Sequence, residues 1–141
     1  MKVIIAAAFL LAASPALATG SIAGFEKGGR FVRFDPVVSQ YNMSGETFRI
    51  DGTCKSACTL FLAIHNVCVT RSATFYFHAG HDPQRRITAS ATSHMIGAYN
   101  EGLRNYVLAN HYMDTLEFHA ISGRDMITKF GYRECPRQSR R

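Results

Sequence analysis

Four cysteines restrict the fold of this 141-residue chain more than any other feature of its sequence. They are Cys54, Cys58, Cys68 and Cys135. In an exported chain an even number of cysteines predicts disulfides, and four cysteines allow three different pairings. A zinc site is the rival interpretation, because the Cys54-x-x-x-Cys58 spacing suits two ligands, but the other two cysteines form no second close pair. The cysteines therefore predict a small fold with two disulfides, provided that the chain is exported.

The amino-terminal segment predicts that the chain is exported. It has a positive start at Lys2, an apolar run over 3–13, and small residues at Ala16 and Ala18, the two positions that a signal peptidase reads. The apolar run is much shorter than the roughly 20 residues that a membrane span requires. We predict a secretory signal peptide over 1–18 and a mature protein without a membrane span, located in the periplasm or secreted.

The charge is basic, with 16 Lys and Arg against 10 Asp and Glu. Part of the excess lies in a tail over 136–141, which contains Arg137, Arg140 and Arg141. A basic tail can bind polyanions. However, basic and aromatic residues are not interleaved, and the sequence contains no known nucleic-acid-binding motif. Both observations argue against nucleic acid as the partner.

Strands and helices alternate along the mature chain. The pattern predicts strands over 47–51, 68–70 and 73–78, and helices from Asp35-Pro36 to Gly45, over 56–64, over 92–108 and from a cap at Ser122 to Gly131. This alternation is typical of an α/β fold with a mostly parallel sheet. We divide the mature chain into a flexible entry segment over 19–27, one α/β domain over 28–135 and the basic tail.

One local arrangement could perform chemistry. A strand ends shortly before Ser56, which starts an apolar helix, and a later strand ends at His78. Ligands gather at the carboxyl ends of parallel strands, so we expect the two side chains to meet there as nucleophile and general base. Backbone N–H groups at the helix start can stabilise an oxyanion. Gly28 and Gly29 allow another backbone N–H to approach, because glycine has no Cβ.

A structural interpretation competes with this one. Ser56 could act only as a helix N-cap, a role worth about 1 kcal/mol, and His78 could simply end a strand. The His78-x-x-His81 spacing also suits a pair of metal ligands, but no further ligand motif accompanies it. We therefore predict neither a metal nor a cofactor.

The motifs around this turn resemble a known superfamily. The run IDGTCKSACTL over 50–60, followed by FYFHA over 75–79, is similar to the Clp-peptidase/crotonase superfamily. It is more closely similar to small periplasmic proteins of proteobacteria that have a G-x-C-x-SACT-type turn. The resemblance extends over about 28–135 and implies a small, truncated Clp/crotonase-like fold. It also makes a homo-oligomer a possible assembly, since Clp and crotonase proteins form rings or trimers.

The resemblance also assigns roles to residues. By analogy with Clp peptidases, Ser56 is the nucleophile and His78 the base. Ala57, together with the Gly28-Gly29 pair, supplies the oxyanion hole. The aspartate of the Clp triad has no match, because counting back from the final glycine, Gly131, reaches His119. The neighbouring acids do not fit the pattern (Asp114, Glu117 and Asp125).

The resemblance further favours one disulfide pairing. In such a fold the strand after the serine helix pairs with the strand after the final glycine, which implies a Cys68–Cys135 bond. A Cys54–Cys58 bond would then flank Ser56. Cys58–Cys68 with Cys54–Cys135 stays open, because spacing does not determine connectivity.

Three functions follow from the sequence. The first is a serine hydrolase or peptidase-like enzyme that uses the Ser56–His78 pair on a peptide or acyl substrate. The second is a non-catalytic binding domain of the cell envelope with the same fold and a degenerate triad. The third is a basic module that binds anionic envelope polymers through its arginine-rich end.

Overall fold

The computed structural model describes residues 20–138. Residues 1–19 and 139–141, which include the predicted signal peptide and the end of the predicted basic tail, lie outside the described residues. The strands are β1 (Gly20–Ser21), β2 (Phe48–Ile50), β3 (Thr53–Lys55), β4 (Val67–Val69), β5 (Thr74–Phe77) and β6 (His119–Ser122). The α-helices are α1 (Asp35–Ser44), α2 (Ala89–Gly97), α3 (Glu101–Ala109) and α4 (Gly123–Thr128). Two 3-10 helices cover Phe31–Arg33 and Ser56–Ala63, and the second is called the serine helix below.

The strands form two small sheets. The first has the order β1-β2-β4 and is parallel throughout. The second has the order β3-β5-β6, in which β3 runs parallel to β5 and β6 runs antiparallel to it. The α/β class and the mostly parallel pairing agree with the sequence prediction. The antiparallel β6 was not predicted.

Gly52 explains how one predicted strand becomes two. The sequence predicts a single strand over 47–51 and a turn after it, whereas the chain continues into β3 and pairs with β5 in the second sheet. Gly52 lies between β2 and β3 with a φ of 79°, a left-handed conformation that favours glycine. The resulting bend moves the chain from one sheet to the other and places the end of β3 beside β5.

The predicted helix over 92–108 is wrong, because the chain forms two helices there. α2 ends at Gly97, and α3 begins after Asn100, whose side chain accepts a hydrogen bond from the backbone N–H of Leu103. A side chain that caps a new helix competes with continuation of the old one. The buried residues Ala98 and Tyr99 occupy the break between the helices.

The first described residues, which belong to the predicted entry segment over 19–27, contact the rest of the fold. β1 pairs with β2, and Ile22 is buried. The ring of Phe25 packs edge-on against Phe34 and Phe61, with centroids 5.3 and 5.2 Å away. Such aromatic pairs add to the stabilisation from apolar burial. These contacts fix the chain that leads to Gly28.

Two disulfides connect these elements. The bonds are Cys54–Cys58 and Cys68–Cys135, so the pairing implied by the resemblance is confirmed. The second bond attaches the chain end to β4, next to a parallel bridge between Val69 and Glu134. Two disulfides fit the prediction of an oxidising compartment. Within residues 20–138, none of the helices has the length and apolarity to cross a membrane.

Candidate active site

Ser56 lies at a sharp turn between β3 and the serine helix. Its φ is 55°, a left-handed value that is uncommon for a residue with a Cβ and marks local strain. The N-cap position belongs to Lys55, and no side chain caps the helix. By contrast, caps at three other helices each accept a backbone hydrogen bond (Thr88, Asn100 and Ser122). The N-cap interpretation of Ser56 is therefore wrong, and its strained backbone needs another explanation.

Ser56 and His78 line the same cavity, which has a volume of about 470 Å³. The other lining residues are Lys27, Gly29, Arg30, Phe31, Val32, His81, Asp82, Pro83, Arg85 and Phe118. The two residues, which follow the ends of β3 and β5, therefore share one cavity. Among the described residues, no hydrogen bond joins the two side chains directly. Catalytic hydrogen bonds are often long in proteins without substrate, so this arrangement is compatible with a dyad that tightens on binding.

His78 is held in one orientation by the backbone. Its side chain is almost fully buried, and its Nδ1 lies 2.6 Å from the carbonyl oxygen of Ala79. A carbonyl can only accept, so Nδ1 carries the proton and Nε2 keeps its lone pair. The buried imidazole therefore has the tautomer that a general base requires.

Burial is the main reason that the pKa of His78 is lowered from its usual 6.5; the charges of His81 and Arg85 lower this pKa further, against an opposing effect of the Ala79 hydrogen bond. Because only neutral His78 accepts a proton, a reaction that uses it as general base is expected to become faster as the pH rises, with a midpoint below pH 6.5. The same shift stabilises the fold above the unfolded-state pKa, and this contribution is lost as the pH falls through the lower folded-state pKa. A pH–rate profile measures the midpoint, and a value above about pH 7 would contradict the prediction.

The Gly28-Gly29 turn packs directly against the serine turn. A Cβ placed on Gly28 would lie 2.8 Å from both the Lys55 carbonyl oxygen and the Ser56 Cβ, and 3.2 Å from the Ala57 nitrogen. Gly28 donates its own N–H to the Phe25 carbonyl at 3.0 Å. Among the described residues, the amide of Gly29, which lines the cavity, donates no hydrogen bond. Gly28 therefore lies against Ser56 and Ala57, whereas a Cβ on Gly29 would face Arg33 and Phe34 at 3.4 and 3.6 Å.

Gly28→Ala should destabilise this turn. The new Cβ would meet backbone atoms at 2.8 Å in a chain whose φ is 77°, so both strain and overlap oppose the folded turn. Gly24→Ala is the matched control, because Gly24 has a φ of 84° and no atom within 4 Å of a new Cβ. Urea unfolding should show a loss larger by about 1 kcal/mol or more at Gly28. Equal losses at the two positions would show that strain alone matters.

Two aromatic neighbours of His78 were not predicted as part of the site. His81 stacks on His78 with ring centroids 5.7 Å apart, and its Nδ1 lies 2.7 Å from the Asp82 carbonyl oxygen. Phe118 meets His78 edge-on at 5.1 Å, with Lys55 Nζ 5.6 Å from its ring. The His78-x-x-His81 spacing in the sequence could have indicated that His81 lies near His78. Phe118 had no such indication, because it precedes the unpredicted strand β6.

No carboxylate of residues 20–138 forms a hydrogen bond with His78. His119, which lies near the point reached by counting back from Gly131, stacks on Tyr112 with centroids 4.4 Å apart. Asp114 and Asp125 pair with other side chains, at 2.8 Å from His111 and 3.1 Å from Lys129. Within residues 20–138, His78 bonds to a backbone carbonyl in place of an acid. No group of three or more His, Cys, Asp or Glu side chains in that part of the chain could hold a metal ion.

Comparison of this chain with protein-family models, with curated proteins and with solved structures finds no match. The functional interpretation therefore rests on the geometry of the site.

Proposed function

We propose that this protein is an exported serine hydrolase of peptidase type, with a truncated Clp/crotonase-like fold, that works in the periplasm or after secretion. Ser56 is the nucleophile and His78 the general base. The observation that carries the proposal is the strained, left-handed Ser56 at the wall of a cavity that also contains His78. A nucleophile at a sharp strand-to-helix turn is a recurring device of serine hydrolases.

The proposed reaction follows the usual acyl-transfer sequence. The Ser56 hydroxyl oxygen attacks the acyl carbonyl while Nε2 of His78 accepts its proton. The amides of Ala57 and Gly29 stabilise the negative oxygen of the tetrahedral intermediate. His78 then donates the proton to the leaving group, which departs and leaves an acyl group on Ser56. Water, deprotonated by His78, attacks this ester, the proton returns to the serine, and the acid product leaves.

The Ala79 carbonyl takes the position that an aspartate has in a complete triad. It fixes the histidine tautomer, which is one of the two tasks of that acid. As a neutral dipole it stabilises the imidazolium less than a carboxylate would. The proposal therefore predicts a slow hydrolase rather than one with the rate of a full triad.

A fluorophosphonate probe tests the proposal, because it forms a covalent bond only with an activated serine. We expect labelling of the oxidised protein at Ser56 and none after Ser56→Ala. Ser39→Ala is the matched control, since Ser39 is exposed on α1, away from the cavity, and this variant should label normally. If correctly oxidised protein remains unlabelled, the proposal is wrong.

A non-catalytic envelope-binding domain is the second candidate. It is favoured by one observation, the lack of a direct Ser56–His78 hydrogen bond among the described residues. In that case the cavity would bind a ligand without turnover, and Ser56→Ala would leave the affinity unchanged. The third prediction, polymer binding by the arginine-rich end, and the predicted homo-oligomer stay predictions.

A further inference from the structure

The cavity has an excess of positive charge. Lys27, Arg30 and Arg85 line it, and Asp82 is the acidic residue among the lining side chains. Asp82 is already engaged, since its carboxylate accepts hydrogen bonds from the Arg86 side chain at 2.7 Å and from backbone N–H groups. Within residues 20–138, the three lining cations form no ion pair with a carboxylate. In the described part of the chain, no carboxylate therefore pairs with the positive side chains of the cavity.

The backbone of Arg85 is held beside the cavity that contains His78. It lies in the loop closed by an antiparallel bridge between His81 and Ile87, and its φ of 62° is left-handed. Its backbone N–H donates to the Asp82 carbonyl at 2.9 Å, which closes the turn that presents it. Arg85 and His78 line the same cavity. The turn holds the backbone that presents Arg85, while its exposed side chain becomes ordered when an anion binds.

Apolar side chains accompany the cations. Phe31, Val32, Pro83 and Phe118 line the same cavity. Val32 and Phe118 are unusually exposed for such residues, at 70% and 49% of their surface. Exposed apolar groups beside a cavity commonly contact a ligand. The wall is therefore suited to a ligand with an apolar part and a negative charge.

We propose that the cavity selects acidic peptides, whose carboxylate is bound by Arg30 and Arg85 while an apolar side chain packs on Phe31, Val32 and Phe118. The inference rests on the proposed hydrolase function, of which it names the substrate class. Guanidinium groups bind carboxylates through parallel hydrogen bonds, which gives both affinity and geometry. The carboxylate comes either from an acidic side chain or from the carboxyl terminus of the peptide.

Binding to the Ser56→Ala protein tests this selection without any need for turnover. Three fluorescent peptides of otherwise identical apolar sequence are compared by anisotropy: one with Glu and an amidated end, one with Gln and an amidated end, and one with Gln and a free carboxyl end. We expect the peptides with a carboxylate to bind about tenfold more tightly than the neutral one, and this difference should shrink at high salt. Which charged peptide binds better identifies the source of the carboxylate.

Variants of the lining arginines complete the test. Arg30→Gln with Arg85→Gln should remove the preference, whereas Arg124→Gln, an exposed arginine on α4 outside the cavity, should keep it. Equal affinity for charged and neutral peptides, no binding of any of them at millimolar concentration, or a preference that survives the double substitution would overturn the inference. Failure of fluorophosphonate labelling would instead overturn the hydrolase proposal, so the two failures are distinguishable.

Discussion

The His78→Gln variant is expected to lose at least about a thousandfold in the rate of ester hydrolysis while it remains folded. Glutamine is similar in size and polar, but it cannot take a proton from the Ser56 hydroxyl. Without the base, attack depends on the weak nucleophilicity of a neutral hydroxyl. Steady-state hydrolysis of an activated acyl ester by oxidised protein measures the change.

Two further variants show which histidine is the base. His81→Gln should reduce the rate far less than His78→Gln, although both side chains line the cavity and both have Nδ1 next to a carbonyl oxygen. The exposed His65 lies outside the cavity, so His65→Gln should leave the rate unchanged. A larger loss at His81 than at His78 would contradict the assignment of the base.

Removing each disulfide should have a different effect, because the two bonds close loops of different length. Serine at Cys68 and Cys135 opens a loop with a sequence separation of 67, whereas serine at Cys54 and Cys58 opens one with a separation of 4. The loop-entropy relation gives about 4 kcal/mol of lost stability for the first pair and about 2 kcal/mol for the second. Urea unfolding of the two double variants measures these losses.

Activity should follow the opposite order. The Cys54–Cys58 bond flanks Ser56 on both sides and restricts the left-handed turn that presents it. The protein without this bond should lose more than about tenfold in hydrolysis under conditions in which it is still folded, because a misplaced nucleophile loses most of the advantage of proximity. The protein without the Cys68–Cys135 bond should keep its activity until it unfolds. The reverse order would show that the short bond has no part in positioning Ser56.

Local signals in the sequence predicted local structure well. The left-handed Gly45 ends α1, and Ser122 caps α4 through the backbone N–H of Asp125, as their residue types suggest. Non-local pairing was harder. The short β6 has no alternating pattern, and it forms because β5 offers an edge in the folded chain. The bend at Gly52, which separates β2 from β3, likewise depends on the presence of two sheets rather than one.

The sequence predicted those parts of the candidate site that depend on a particular side chain. It did not predict those parts that depend on backbone atoms. Ser56, His78 and Gly28 were predicted, and the structure places the first two on one cavity and Gly28 against the serine turn. The partner of His78 was sought among acids and proved to be the carbonyl of Ala79, which any residue could provide. The sequence did not indicate that Arg85 belongs to the candidate site, because only the fold places its loop at the cavity.

Detection of a covalent acyl-enzyme tests directly whether Ser56 is the nucleophile. The oxidised protein is mixed with an activated acyl ester, quenched in acid within seconds and digested for peptide mass mapping. We expect one acyl group on the peptide that contains Ser56, a faint or undetectable adduct in His78→Gln, and none in Ser56→Ala. An acyl group on another residue, or no adduct while the ester is turned over, would contradict it.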